Sequence, residues 1–153
     1  MKKDSIPPCM IYIDKEGKWF HKGLEMIHKS IINEFYRSLT KDSCGEYLIM
    51  LGEEKCWVEV EDTPFIVTRV EFNHAEGSKE ERIILYLIDD TRECLDPGTL
   101  SVGDENVLYC RVKNNKFKAR FSRAAYYQLA SRIIEEGDKY YLPLYNKKYF
   151  IKT

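Results

Sequence analysis

Apolar residues in this chain fall mostly into short alternating runs broken by Gly, Asn and Asp, the pattern of hairpins. In two stretches they advance instead by three or four, the pattern of helices. Met10-Ile11-Tyr12-Ile13 leads into a turn at Asp14-Lys15-Glu16-Gly17 and returns as Lys18-Trp19-Phe20. A helix over about 24–40 is predicted next, because Leu24, Ile27, Ile31, Phe35 and Leu39 share one face and Ile32 and Tyr36 widen it. After the breaker Ser43-Cys44-Gly45, residues 46–51 and 56–61 read as a second hairpin about Gly52.

The same order recurs near the C-terminus. Residues 107–112 turn at Lys113-Asn114-Asn115, residues suited to the positive φ of a tight hairpin, and return as 116–121. Ser122 is placed to cap a helix of about 123–135 with Ala125, Tyr126, Leu129, Ala130 and Ile133 on one stripe. Gly137 stops it, and residues 140–144 and 148–151 close as a hairpin, with Pro143 marking an edge or bulged strand. Between the copies, residues 65–72 and 83–88 are expected to extend the first sheet as a further hairpin across a polar loop from His74 to Glu81. The expected class is therefore α+β: two similar β-β-α-β-β subdomains, an internal repeat, with mainly antiparallel sheets each packed on one helix. The division expected is an N-terminal arm at 1–9, a first subdomain at 10–88, a connector at 89–106 rich in turn residues, and a second subdomain at 107–153. Halves of this size bury thin cores alone, so a shared interface is expected.

Composition supports a folded protein: of 153 residues, 44% are hydrophobic and 32% charged, with 8 Gly and 5 Pro. No run approaches the ~20 apolar residues of a membrane span, and Met1-Lys2-Lys3-Asp4-Ser5-Ile6-Pro7-Pro8 lacks the apolar core of a secretion signal, so a cytoplasmic location is expected. The five cysteines, Cys9, Cys44, Cys56, Cys94 and Cys110, are scattered and odd in number, which indicates neither a disulfide framework nor a zinc ribbon. His21, Glu25 and His28 could share a helical face only if the helix began before Gly23, so no metal and no cofactor is expected.

Charge is balanced overall but divided along the chain. Residues 1–106 hold 13 Lys and Arg against 22 Asp and Glu, whereas residues 107–153 hold 11 against 3. Period two along Lys116-Phe117-Lys118-Ala119-Arg120-Phe121 puts Lys116, Lys118 and Arg120 on one face. That face, with Arg111 and Arg123, is either solvated, docked on acidic groups, or an anion site near the start of the second helix. The acidic first part argues against a long nucleic-acid track. In Trp57-Val58-Glu59-Val60-Glu61-Asp62-Thr63-Pro64-Phe65, the glutamates alternate with valines and Asp62 begins a turn. Paired carboxylates there could serve acid–base chemistry or simply hold the turn. No phosphate loop, nucleophile elbow, dinucleotide turn or His-Glu-x-x-His helix is present.

Val60-Glu61-Asp62-Thr63-Pro64-Phe65, with Gly17-Lys18-Trp19-Phe20-His21-Lys22-Gly23, Arg111, Ala119-Arg120-Phe121 and Arg123-Ala124-Ala125-Tyr126-Tyr127, resembles the bacterial domain-of-unknown-function 1285 family over most of the chain. The resemblance implies a repeated two-subdomain α+β fold and a ligand-binding or signal-transduction role, without catalytic residues to carry over.

The expected function is a non-enzymatic binding or signalling module, its site between the repeated subdomains. Glu61 and Asp62 would supply acceptors, Arg111, Arg120 and Arg123 donors, and Thr63, Pro64, Phe65 and Trp19 the walls. Its partner would be a small anionic or polar ligand or a protein, with oligomeric state open. Two alternatives stand beside it: a hydrolase-like enzyme using Glu61 and Asp62 with His21 or His74, and weak nucleic-acid or anion binding through the segment from Arg111 to Arg123.

Overall fold

The computed structural model describes residues 6–74 and 81–153. These pack as two units, Met1–Pro64 and Phe65–Thr153. In the first unit, alternation buries Ile11 and Ile13 on β1 (Pro8–Ile13), and the strand returns through Gly17 (φ 86) as β2 (Trp19–His21). A second tight turn at Lys22 and Gly23 (φ 52 and 84) folds the chain into β3 (Leu24–Glu25), with Phe20 opposite Glu25 and His21 opposite Leu24. This hairpin takes residues that the helical spacing claimed. Helix α1 starts only at Lys29 and ends at Ser38. Leu24 and Ile27 therefore lie outside it and stand 76% and 79% exposed, and Tyr36, not the aliphatic stripe, is its buried side chain. Beyond it run β4 (Leu39–Lys41), β5 (Tyr47–Leu51) and β6 (Glu54–Val60).

The first sheet has the order β3-β2-β1-β6-β5-β4 and is antiparallel except where β1 meets β6 in parallel. At that central pair Cys9 and Cys56 form a disulfide, with Cα atoms 4.9 Å apart. This corrects the reading that no cysteines pair. Spacing could not show it, because the two residues lie 47 apart and meet only once β1 and β6 are neighbours.

The second unit begins with β7 (Phe65–His74) and β8 (Glu81–Leu87). This hairpin does not extend the first sheet as expected: β7 pairs in parallel with β12 (Phe117–Phe121), Phe65 opposite Ala119 and Val67 opposite Phe121. Nor is 89–106 a connector between subdomains. It holds β9 (Arg92–Cys94), a 3-10 turn at Pro97–Thr99 and β10 (Ser101–Val102), all built into the second unit with β11 (Leu108–Val112). The sheet order is β10-β11-β12-β7-β8-β9. The polar loop expected between His74 and Glu81 lies, at 75–80, outside the described residues.

Ser122 caps helix α2 (Arg123–Ala130) by accepting the Ala125 N–H at 3.1 Å, and Ala125 and Leu129 are its buried face. The helix stops before Ile133. The β-branched residues that follow open β13 (Ile134–Glu136), and Gly137 (φ 66) turns this strand into β14 (Lys139–Leu144). With β15 (Lys147–Phe150) these form a small third sheet. Pro143 sits past the end of β13, where β14 has only β15 beside it, so it is locally an edge residue as expected.

The chain is α+β: two six-stranded mixed sheets, each with one helix, and a third small sheet. The strand, strand, helix, strand, strand order does occur twice. The deeper correspondence has a different phase, because β1 to β6 and β7 to β12 fill their sheets in the same order, each as two antiparallel meanders joined by one central parallel pair.

Alkylation of the oxidised, purified protein is expected to label exposed Cys44 and Cys94 at once and buried Cys110 only after denaturation. Burial pushes the Cys110 thiol far up from its ordinary pKa, which keeps it inert. Cys9 and Cys56 should label only after reduction, and reduction should lower stability to urea by about 2–4 kcal/mol. Five labelled thiols without reductant would show that the link does not form.

Candidate functional site

The Glu61–Phe65 string, read as acceptors and wall, does a different job in each residue. Glu61, exposed just past β6, accepts the Lys15 N–H at 2.9 Å through Oε1, while its own N–H donates to the Ile13 carbonyl at 2.9 Å. It thus clips the β1–β2 turn to the end of β6. Tyr12 sits beside it, its phenol held above the ordinary value by burial and by the hydrogen-bonded Glu61 carboxylate. Asp62 is half-buried in the bend, and Thr63 and Pro64 are buried. The Pro64 carbonyl accepts the Tyr36 hydroxyl at 2.9 Å.

Trp19, expected to wall a pocket, is 1% exposed. Its ring lies edge-on to Tyr36 at 4.8 Å and stacks with Phe35 at 6.1 Å. Trp19 and Pro64 are therefore joined through Tyr36 as core of the first unit. Phe65 is core of the second, 5.2 Å from Phe117 with the Lys113 ammonium 5.3 Å from its ring.

Of the three arginines, Arg123 opens α2 exposed, its guanidinium 5.9 Å from the Tyr127 ring. Arg120 is half-buried on β12 between Tyr109 and Ile66 in register. The period-two reading of β12 holds: Phe117, Ala119 and Phe121 are buried while Lys118 is exposed.

Arg111, on β11, enters a hollow of about 240 Å³ within the second unit. Glu93 and Cys94 of β9, together with Asp96 and Thr99 of the 3-10 turn, line it on one side. Asn114 and Asn115 of the β11–β12 turn complete the lining.

Short-range bonds fix these groups. Thr99 Oγ1 donates to the Asp96 carbonyl at 2.8 Å and accepts the Arg111 N–H at 3.0 Å, which seats the 3-10 turn on β11. Asp96 Oδ1 accepts the Gly98 N–H at 3.1 Å. Both Glu93 oxygens accept the Lys113 N–H at 3.2 Å. Arg111 donates through Nη2 to the carbonyls of Asn115 and Lys116, at 3.2 and 3.4 Å. Among the described residues its Nε and Nη1 remain as donors.

Sequence reasoning named Arg111 but not the rest of the hollow. Their signal was present as the turn strings Asp96-Pro97-Gly98 and Lys113-Asn114-Asn115, whose Asp96, Asn114 and Asn115 line one hollow only because the turns meet. Among the described residues no group of His, Cys, Asp and Glu could hold a metal ion, and His21 lies on β2, not on a helix with His28.

No family model and no curated protein matches the chain. Two solved structures do. A DUF1285 family protein from Silicibacter pomeroyi DSS-3 matches 100% of this chain and 87% of its own, with a TM-score of 0.78 and 16% identity. The chain has the DUF1285 fold. A DUF1285 family protein from Shewanella baltica OS155 matches 80% of this chain and 91% of its own, with a TM-score of 0.65 and 20% identity. The family of both is the one that the Val-Glu-Asp-x-Pro-Phe motif resembles. No described helix is long and apolar enough to cross a membrane.

Beside the hollow, buried Asp89 binds the Lys113 ammonium at 2.8 Å, which also reaches Thr91 Oγ1 at 2.8 Å. Lys113→Met would strand the carboxylate and should cost about 3–5 kcal/mol in urea unfolding. Asp89→Leu combined with Lys113→Met should recover most of that loss, and equal stability of single variant and wild type would remove the pair from any structural role.

Proposed function

We propose that the chain is a non-enzymatic binding module whose ligand, a small polar or anionic molecule, sits in the hollow beside Arg111. The observation that carries this reading is an arginine whose Nε and Nη1 have no partner among the described residues, held by backbone carbonyls in a hollow lined mostly by polar residues. Likeness to the DUF1285 proteins fits the fold that the motifs led us to expect, and the binding or signalling role itself rests on the hollow. Signalling would follow if the occupied hollow altered the turns that form it.

A hydrolase reading gains nothing from the geometry, since the Glu61 carboxylate is occupied at the β1–β2 turn and no histidine lines the hollow. The exposed thiols Cys44 and Cys94 fit a reducing, cytoplasmic setting, whereas the Cys9–Cys56 disulfide fits an oxidising one.

A thermal-shift screen of carboxylates, amino acids, sugars and nucleotides tests the site. A ligand at a hundred times its Kd should add about 2.7 kcal/mol of stability. Arg111→Met should abolish that gain while leaving the ligand-free Tm within a few degrees of wild type. A ligand shift that survives Arg111→Met, or no shift with any compound, overturns the proposal.

A further inference from the structure

The hollow around Arg111 also contains two carboxylates, and the charges are kept apart. Glu93 is tied to the Lys113 N–H, Asp96 to the Gly98 N–H and Arg111 to the carbonyls of Asn115 and Lys116. Asp96 and Arg111 are held by the backbone of their own turn and hairpin, whereas Glu93 reaches from β9 to the backbone of the β11–β12 turn. Among the described ion pairs none joins Arg111 to Glu93 or Asp96, although all three line the same hollow.

Opposite charges that share a partly enclosed space without neutralising one another present a dipolar surface. A ligand carrying only a negative group would meet Arg111 but also two carboxylates, and a purely cationic ligand would meet the reverse problem. A molecule with a carboxylate for Arg111 and an ammonium for Glu93 and Asp96 meets both as charge-assisted hydrogen bonds. The Asn114 and Asn115 side chains can donate or accept toward either end.

We propose that the hollow takes a zwitterionic amino carboxylate, a free amino acid or a short peptide, with its carboxylate on Arg111 and its ammonium toward Glu93 and Asp96. This rests on the reading of the hollow as the ligand site.

Calorimetric titration of the full chain with the L-α-amino acids and with dipeptides tests it. The best binder is compared with its decarboxylated amine and its deaminated acid. The expected result is binding of the amino compound, at least tenfold weaker binding of the amine and of the acid, and loss of binding in Arg111→Met. Asp96→Asn and Glu93→Gln keep an acceptor oxygen for the backbone bonds and should each weaken the amino compound severalfold while weakening the deaminated acid little or not at all. Tighter binding by dipeptides than by free amino acids would identify the peptide source, and the reverse order the free amino acid, each within the proposal. A deaminated acid that binds as well as the amino compound, lost in Arg111→Met, would overturn the zwitterion while leaving the hollow as a ligand site. Failure of every amino compound to bind would overturn the zwitterion, and the hollow as a ligand site would fall with it only if the sugars and nucleotides of the wider screen also fail to bind.

Discussion

Each six-stranded sheet depends on one parallel ladder at its centre. β1 against β6 in the first unit, and β7 against β12 in the second, join two three-stranded antiparallel meanders into one sheet. A parallel pair cannot be closed by a tight turn, so long stretches of chain separate its partners. Both ladders are reinforced from outside the sheet hydrogen bonds. The Cys9–Cys56 disulfide fastens the first beside a register shift, where Met10 adopts φ 64. In the second, the Ser122 N–H donates to Val67, and Gln128 on α2 accepts the Val70 N–H at 2.7 Å.

This dependence explains what could be read from the sequence. Alternation and turn residues describe a strand and the strand next to it, so the hairpins about Gly17, Asn114 and Asn146 were legible, as were the Ser122 cap and the edge character of Pro143. Partners far away in the chain leave no such mark. Phe65–Val67 carries the same apolar signal whether it lies in the first sheet or against β12, and the parallel choice is set by packing across some fifty residues. The phase of the repeat followed the same limit: helices were the conspicuous landmarks, whereas the correspondence in strand order is anchored on the two ladders. Leu24 and Ile27 were misplaced because helical spacing continues through a glycine turn that the backbone takes as a hairpin.

The candidate site divides similarly. The Val-Glu-Asp-x-Pro-Phe string is distinctive because several unrelated structural demands fall on adjacent residues: a turn clip at Glu61, an acceptor for Tyr36 at Pro64 and a core ring at Phe65. A distinctive string is therefore compatible with architecture alone. Arg111 stood out through local charge, but the residues that make a hollow around it come from β9, the 3-10 turn and the β11–β12 turn, and their convergence is tertiary.

The turn beside Arg111 has a backbone that a peptide would not hold by itself. Lys113, Asn114 and Asn115 all have positive φ, at 58, 58 and 65°, and the left-handed region costs an L-residue roughly 1–2 kcal/mol, less for Asn. Lys113 offsets this with its N–H on Glu93 and its ammonium on Asp89 and Thr91, so the least comfortable residue of the run is also the best anchored. The anchored run fixes the Asn115 carbonyl, and that carbonyl helps to hold the Arg111 guanidinium. A partly buried ion pair thus positions the half-buried Arg111 through two intervening backbone groups. Ligand binding there would not have to order the turn, and the interaction energy of Arg111 with an anionic group would be realised in affinity instead of being spent on conformational entropy.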